Sequence, residues 1–106
     1  MTDAKIILTT SGDKKEAEDI AWALLERKLA ACVNLIPVQS FYHWKGQMES
    51  NPEYLLVIKT TAASFESVRE ALAELNSYEV LECIQISVEQ GAEAYLKWIT
   101  DNVESK

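Results

Sequence analysis

The sequence predicts an α+β fold in the order β-α-β-β-α-β, followed by one more helix. Three observations carry this. Two segments, 14–30 and 61–76, place apolar residues at helical spacing. Short runs rich in β-branched and aromatic residues flank them. Two of those runs meet at Gly46 with only a turn between them. At 106 residues the chain fits one domain, spanning 1–106. Hydrophobic residues make up 48% and charged residues 25%, the balance of a globular protein with a modest core. Oligomerisation is a natural way for such a chain to bury more area.

The elements follow in order. "AKIILTT", from Ala4, is a short strand that ends at "SGD", where Ser11 or Asp13 offers a helix N-cap. In "KKEAEDIAWALLERKLA", Ala17, Ile20, Ala21, Leu24 and Leu25 form one face of an amphipathic helix of about four turns. "ACVNLIPVQSFYHW" is a long strand with an irregularity at Pro37, because proline lacks the N–H that a central ladder needs. Trp44 then sits at a hairpin tip, and "EYLLVIKTT" returns, with Asn51-Pro52 as a second irregularity. The second helix carries Phe65, Val68, Leu72 and Leu75, with Thr61 or Ser64 as its cap. "VLECIQISVE" is a strand with Val80, Ile84, Ile86 and Val88 on one face, a face that Glu82 interrupts. After Gly91, Tyr95, Leu96, Ile99 and Val103 recur at helical spacing, and Trp98 packs against the body of the fold.

This is the split βαβ, ferredoxin-like order, with both helices on one sheet face. Yet "EYLLVIKTT" is apolar at both parities, Leu56 and Ile58 against Leu55 and Val57. A strand apolar on both sides needs cover on both sides. The sheet is therefore expected to pack against another subunit.

Composition excludes several functions. Net charge is −7, which opposes nucleic acid and anionic membrane surfaces. No apolar run approaches the length of a membrane-spanning helix. Cys32 and Cys83 match no zinc spacing, and no signal-peptide pattern opens the chain. Free thiols and a cytoplasmic location are the expectation. The glycines form no phosphate-binding loop, so no organic cofactor is expected.

His43 is the only histidine, and no nucleophile motif accompanies it. As metal ligands, Cys32, His43, Cys83, Glu79 and Glu82 suit copper or zinc by type, but the His and Cys residues lie far apart in sequence. "NSYEVLE", 76–82, stands out because Glu82 falls where parity predicts a buried residue. A buried acid must be paired, hydrated or set at an interface rim. Lys59, at the end of "VIKTT", is the candidate partner. The segment is then either a structural ion pair or a small polar pocket.

Several blocks together, "KLAACVNLIPVQSFYHWKGQ", "LLVIKTT", "YEVLECIQISVEQG" and "YLKWI", resemble the CutA family of divalent-cation tolerance proteins. The resemblance runs from about Ile6 to Ile99. It implies a ferredoxin-like subunit in a homotrimer similar in assembly to PII signalling proteins, with no catalytic activity and a link to copper(II) or another divalent cation. The family's "HPYE.PE" block reads "NSYEVLE" here: Asn76 replaces the histidine, and Ser77 and Leu81 replace the prolines. Thr9 stands where some members carry a cysteine. Of the copper ligands proposed in such members, only Glu82 carries over, so metal binding must be weak, exploit three-fold symmetry, or recruit Cys83 or His43. The candidate intersubunit pocket comprises Lys59, Tyr78, Glu79 and Glu82, with Cys32 and Trp44 near the interface. A small molecule bound in a PII-like intersubunit cleft is the alternative.

Overall fold

A computed structural model describes residues 2–104. Strand β1 (Ala4–Ser11) leads to helix α1 (Lys14–Glu26), then to β2 (Cys32–Trp44) and β3 (Gln47–Thr61). A short 3₁₀ turn (Ala62–Ser64) precedes α2 (Phe65–Leu75), followed by β4 (Ile84–Ser87) and α3 (Glu93–Asp101). The sheet order is β2-β3-β1-β4, with every pairing antiparallel. This is the ferredoxin-like arrangement that the element order predicts.

The turn between β1 and α1 is capped by Asp13, whose carboxylate accepts from the Glu16 N–H at 2.9 Å. At the other end of α1, Lys28 adopts a left-handed backbone with φ 56°. The Lys28 N–H donates to the Leu25 carbonyl and the Leu29 N–H to that of Leu24, a Schellman cap closed by the buried Leu24 and Leu29. Helix α2 starts differently from expectation. Ser64 occupies the cap position, but its hydroxyl makes no cap bond and has no partner among the described residues.

One face of the sheet is covered by α1 and α2. Ile7, Leu56 and Ile58 from the sheet meet Ala17, Ile20 and Leu24 from α1 and Val68 and Leu72 from α2. All eight are fully buried. Each large aliphatic side chain so buried contributes about 1.5–3 kcal/mol. Thr9 and Thr60 share this face; Thr60 donates to the Leu29 carbonyl at 2.7 Å, tying the end of the α1 cap to the sheet.

The prolines do not break the sheet. Register between β2 and β3 is continuous from Cys32↔Lys59 to Trp44↔Gln47, with Pro37 opposite Tyr54 and Pro52 opposite Gln39. Pro37 is tolerated because β2 is an edge strand. Pro52 is tolerated because β1 ends its pairing at Ser11↔Tyr54, which leaves that side of β3 free.

Strand β4 is shorter than the alternation suggests. Val80 and Glu82 precede it, so Glu82 does not interrupt a strand face, and Val80 is 67% exposed. The cause lies on the edge of β1. Val88 donates to the Ala4 carbonyl, so alternate residues from Ala4 to Thr10 point their backbone groups at this edge. The Thr10 carbonyl is taken instead by the Asn76 side-chain amide at 2.9 Å. A side chain thus occupies the place where the ladder would have continued.

Helix α3 crosses one end of the opposite sheet face, where Ile99 and Val103 pack with Ala4. Trp98 does not pack into the body as expected. It stacks on Tyr95 with ring centroids 5.5 Å apart, and both rings stay partly exposed. The rest of that face, including Ile36, Ile84 and Ile86, has no cover among the described residues.

Candidate functional site

The hairpin of β2 and β3 closes through Lys45-Gly46, with φ 49° and 80°. Positive φ at both central residues is the type I′ turn, whose twist matches that of the flanking strands. The hairpin is held by side chains as well. Asn51 donates to the Tyr42 hydroxyl at 2.7 Å, and Gln39 to the Ser50 hydroxyl at 2.9 Å. Alternation places Tyr42, Trp44 and Glu53 on the same face as Leu55 and Val57, the face that the helix pair leaves open.

The segment after α2 folds back against this hairpin. Asn76 fixes its start, donating to Thr10 and accepting from the Tyr78 N–H at 2.9 Å. The Ser77 N–H donates to Glu16 at 3.1 Å, and Glu16 also accepts from the Ser11 hydroxyl at 2.6 Å. Tyr78 then reaches across, and its hydroxyl donates to Glu53. A Cβ at Gly12 would lie 2.7 Å from that hydroxyl oxygen, so the ring's path depends on glycine in the β1–α1 turn. Further along, Glu79 lies 3.7 Å from the Lys45 ammonium, and Glu82 accepts from the Thr10 hydroxyl at 3.3 Å.

Together these contacts frame a groove of about 630 Å³ between the hairpin and segment 78–82. Tyr42, His43, Trp44, Glu53, Tyr78, Glu79 and Glu82 line it, with Thr10, Ser40, Phe41 and Val80. Three carboxylates and four aromatic rings meet there, and no lysine or arginine is among the lining residues. Burial pushes the Tyr78 phenol above its usual pKa, and the Glu53 carboxylate that it serves pushes it further. At neutral pH Tyr78 is therefore a fixed donor.

The residues singled out in the sequence separate into two groups. Trp44, Tyr78, Glu79, Glu82 and His43 come together in the groove. Lys59 and Cys32 do not. They face each other across β2 and β3 five residue pairs from Tyr54, toward the other end of the sheet. The Lys59 ammonium lies 5.5 Å from the Tyr95 ring centroid, and Tyr95 raises its pKa while burial opposes the shift. Lys59 is thus a partner of α3 and not of Glu82, whose observed partner is Thr10. Cys83 neighbours Glu82 in sequence but packs against the helix-side core, and burial holds its thiol pKa up.

Sequence reasoning missed Glu53, Thr10 and Gly12. Glu53 shares the parity of Leu55 and Val57, so it was detectable as an acid at the end of an apolar face. Nothing local marks Gly12 as the floor beneath Tyr78, since that approach joins residues 66 positions apart.

As a metal centre, one copy of the chain is incomplete. Among the described residues, no three His, Cys, Asp or Glu side chains gather closely enough to hold an ion. The groove's carboxylates already engage Tyr78, Lys45 and Thr10. A tight divalent site of this chain's residues alone does not fit that donor set.

Comparison with known proteins places this architecture. The model of the CutA1 divalent ion tolerance protein family matches residues 5–102. A CutA homolog from Xenopus laevis is 49% identical over 88 residues, which cover 82% of this chain and 58% of that protein. The chain thus spans little more than half of that relative's length. The divalent-cation tolerance protein CutA of Archaeoglobus fulgidus is 40% identical over 98 residues, covering 92% of this chain and 96% of its own. Among solved structures, CutA from Xylella fastidiosa superposes with a TM-score of 0.94 at 35% identity, covering 97% of this chain and 100% of its own. A. fulgidus CutA, described there as periplasmic, superposes at 0.92 with 39% identity, covering 95% and 99%. With nearly its whole length matched in both sequence and fold, the chain belongs to the CutA1 divalent ion tolerance family.

Proposed function

We propose that the protein is a non-catalytic divalent-cation tolerance or response protein that acts as a homotrimer. Copper(II) or another divalent cation would bind it weakly, or at sites completed between copies. The observation that carries this reading is the uncovered sheet face. Ile36, Ile84 and Ile86 are 42%, 53% and 47% exposed, in a sheet whose other face is sealed by the helices at Ile7, Leu56 and Ile58. Exposed apolar surface of this kind marks an interaction site. The groove, with His43 and the carboxylates of Glu53, Glu79 and Glu82, continues that face. Imidazole and carboxylate ligands suit divalent transition metals, and three-fold repetition could supply the donors that one copy lacks. The names of the relatives, divalent-cation tolerance proteins, support the role. Free Cys32 and Cys83 favour a reducing compartment such as the cytoplasm.

Calorimetric titration with copper(II) and zinc(II) tests the metal reading. Saturable binding in the wild type that weakens in Glu82→Gln is expected. No saturable heat at micromolar metal contradicts it. The second reading, a small-molecule cleft, is favoured by the groove's size, since about 630 Å³ falls in the range of organic-ligand sites and far exceeds what an ion fills. A ligand that binds only the native state would raise the melting temperature.

A further inference from the structure

The groove's own lysine shows which chemistry it attracts. From the hairpin turn, Lys45 places its ammonium 5.4 Å from the Trp44 ring centroid and 3.7 Å from a Glu79 carboxylate oxygen. Those are the two partners of an alkylammonium site, an aromatic face and an anion. Lys45 reaches only Glu79. Among the described residues, Glu53 and Glu82 form no ion pair; their partners are the neutral hydroxyls of Tyr78 and Thr10. Two carboxylates therefore face the groove without a cation, beside the half-exposed rings of Tyr42 and Trp44.

We propose that the groove binds an aliphatic amine in its ammonium form, a primary diamine or polyamine. This rests on the small-molecule reading of the groove and is independent of metal. The ammonium groups would sit on Glu53 and Glu82, and the carbon chain would lie against Trp44 and Tyr42. A dicarboxylate or nucleotide is disfavoured because the lining supplies three carboxylates, and Lys45 beside them is already paired with Glu79. Lys45 then acts as a built-in competitor, holding Glu79 and the Trp44 face until a ligand amine displaces it.

Calorimetry with putrescine and spermidine tests the proposal, with a chelator present and at about 0.15 M salt to screen diffuse attraction to an acidic surface. Saturable binding is expected, weakened about tenfold or more in Glu82→Gln and in Trp44→Leu, the scale of one lost ion contact or cation–π contact in a partly desolvated site. Lys45→Asn suits the left-handed turn position and removes the competitor, so binding should tighten severalfold. No amine binding overturns the proposal, as when a second copy fills the groove. Equal binding in wild type, Glu82→Gln and Trp44→Leu overturns it too, because that is non-specific attraction. Unchanged or weaker binding in Lys45→Asn also counts against it. If adipate raises the melting temperature while the amines do not, the groove is a ligand site but the amine assignment fails.

Discussion

The two faces of the sheet come from the same strands and reach different states. On β3, Leu56 and Ile58 point to the helices and are fully buried, while Leu55 and Val57, one residue away, are only half-buried. On β1, Ile7 is sealed, whereas Ile6 and Leu8 are not. The β4 residues opposite them, Ile86 and Ile84, are left exposed. Side-chain chemistry barely differs between the two sides. What differs is the cover: α1 and α2 span one face, and α3 reaches only one end of the other. The first face is stabilised within the chain. The second has the composition of a core and lacks the other half of one.

That contrast is open to direct attack, and the largest effect lies on the helix side. Ile58→Ala should lower stability by about 2–5 kcal/mol at any protein concentration, because the cavity opens inside one chain. Val57→Ala should cost less in dilute protein and show a melting temperature that depends on concentration, since its cover comes from association. Denaturant titrations at two protein concentrations separate the cases. If both variants behave alike, the distinction between the faces is lost.

The groove at the end of the open face offers the next test. In Gly12→Ala the new methyl would meet the Tyr78 hydroxyl, so the ring must leave Glu53. A cost of about 1–3 kcal/mol is expected, the scale of overpacking or of a lost charged hydrogen bond. Tyr78→Phe, which removes the bond without the clash, should cost less. Nuclear magnetic resonance of the Tyr78 ring would show the displacement in the alanine variant.

The same bond has a pH signature. Tyr78 has a raised pKa in the folded state, so the folded form holds its proton more tightly than the unfolded chain. Its contribution is complete below the unfolded value of about 10 and is lost as pH rises through the higher folded value. Stability curves of wild type and Tyr78→Phe should therefore converge in strong alkali. Curves that stay parallel would mean that the phenol is not held in this way.

The smallest effect belongs to the cap of α1. Lys28 is a non-glycine residue in left-handed backbone. Lys28→Gly should stabilise the protein by up to about 1 kcal/mol, relief of the steric cost diminished by the extra freedom of glycine in the unfolded chain. A rise in melting temperature of a few degrees is the scale to look for.

Much of this was legible in the sequence, for reasons that differ by region. Helices α1 and α2 were, because 3.6-residue periodicity is a local signal and Ala17, Ile20, Leu24, Val68 and Leu72 obey it. The need for a second cover was legible from the double parity of "EYLLVIKTT". The extent of β4 was not, because Asn76 ends its ladder through a bond to a residue 66 positions away. Lys59 was misassigned to Glu82 because strand parity gives a face but not a position along it; register puts Lys59 opposite Ile6 and Cys32, beside α3. Trp98 was assigned inward on its apolarity, yet Ile99 of α3 and Val103 just beyond the helix take the inward positions and leave it stacked on Tyr95.

The central claim is that the open face is half of an interface, and solution mass tests it most directly. Light scattering at micromolar protein should give three times the 11.9 kDa chain mass for the wild type. Ile86→Asp, which sets a charge in the middle of that face, should shift the mass toward that of one chain while the circular dichroism of the helices persists. A wild type that runs as a monomer, or an Ile86→Asp variant that stays fully assembled, would contradict the account.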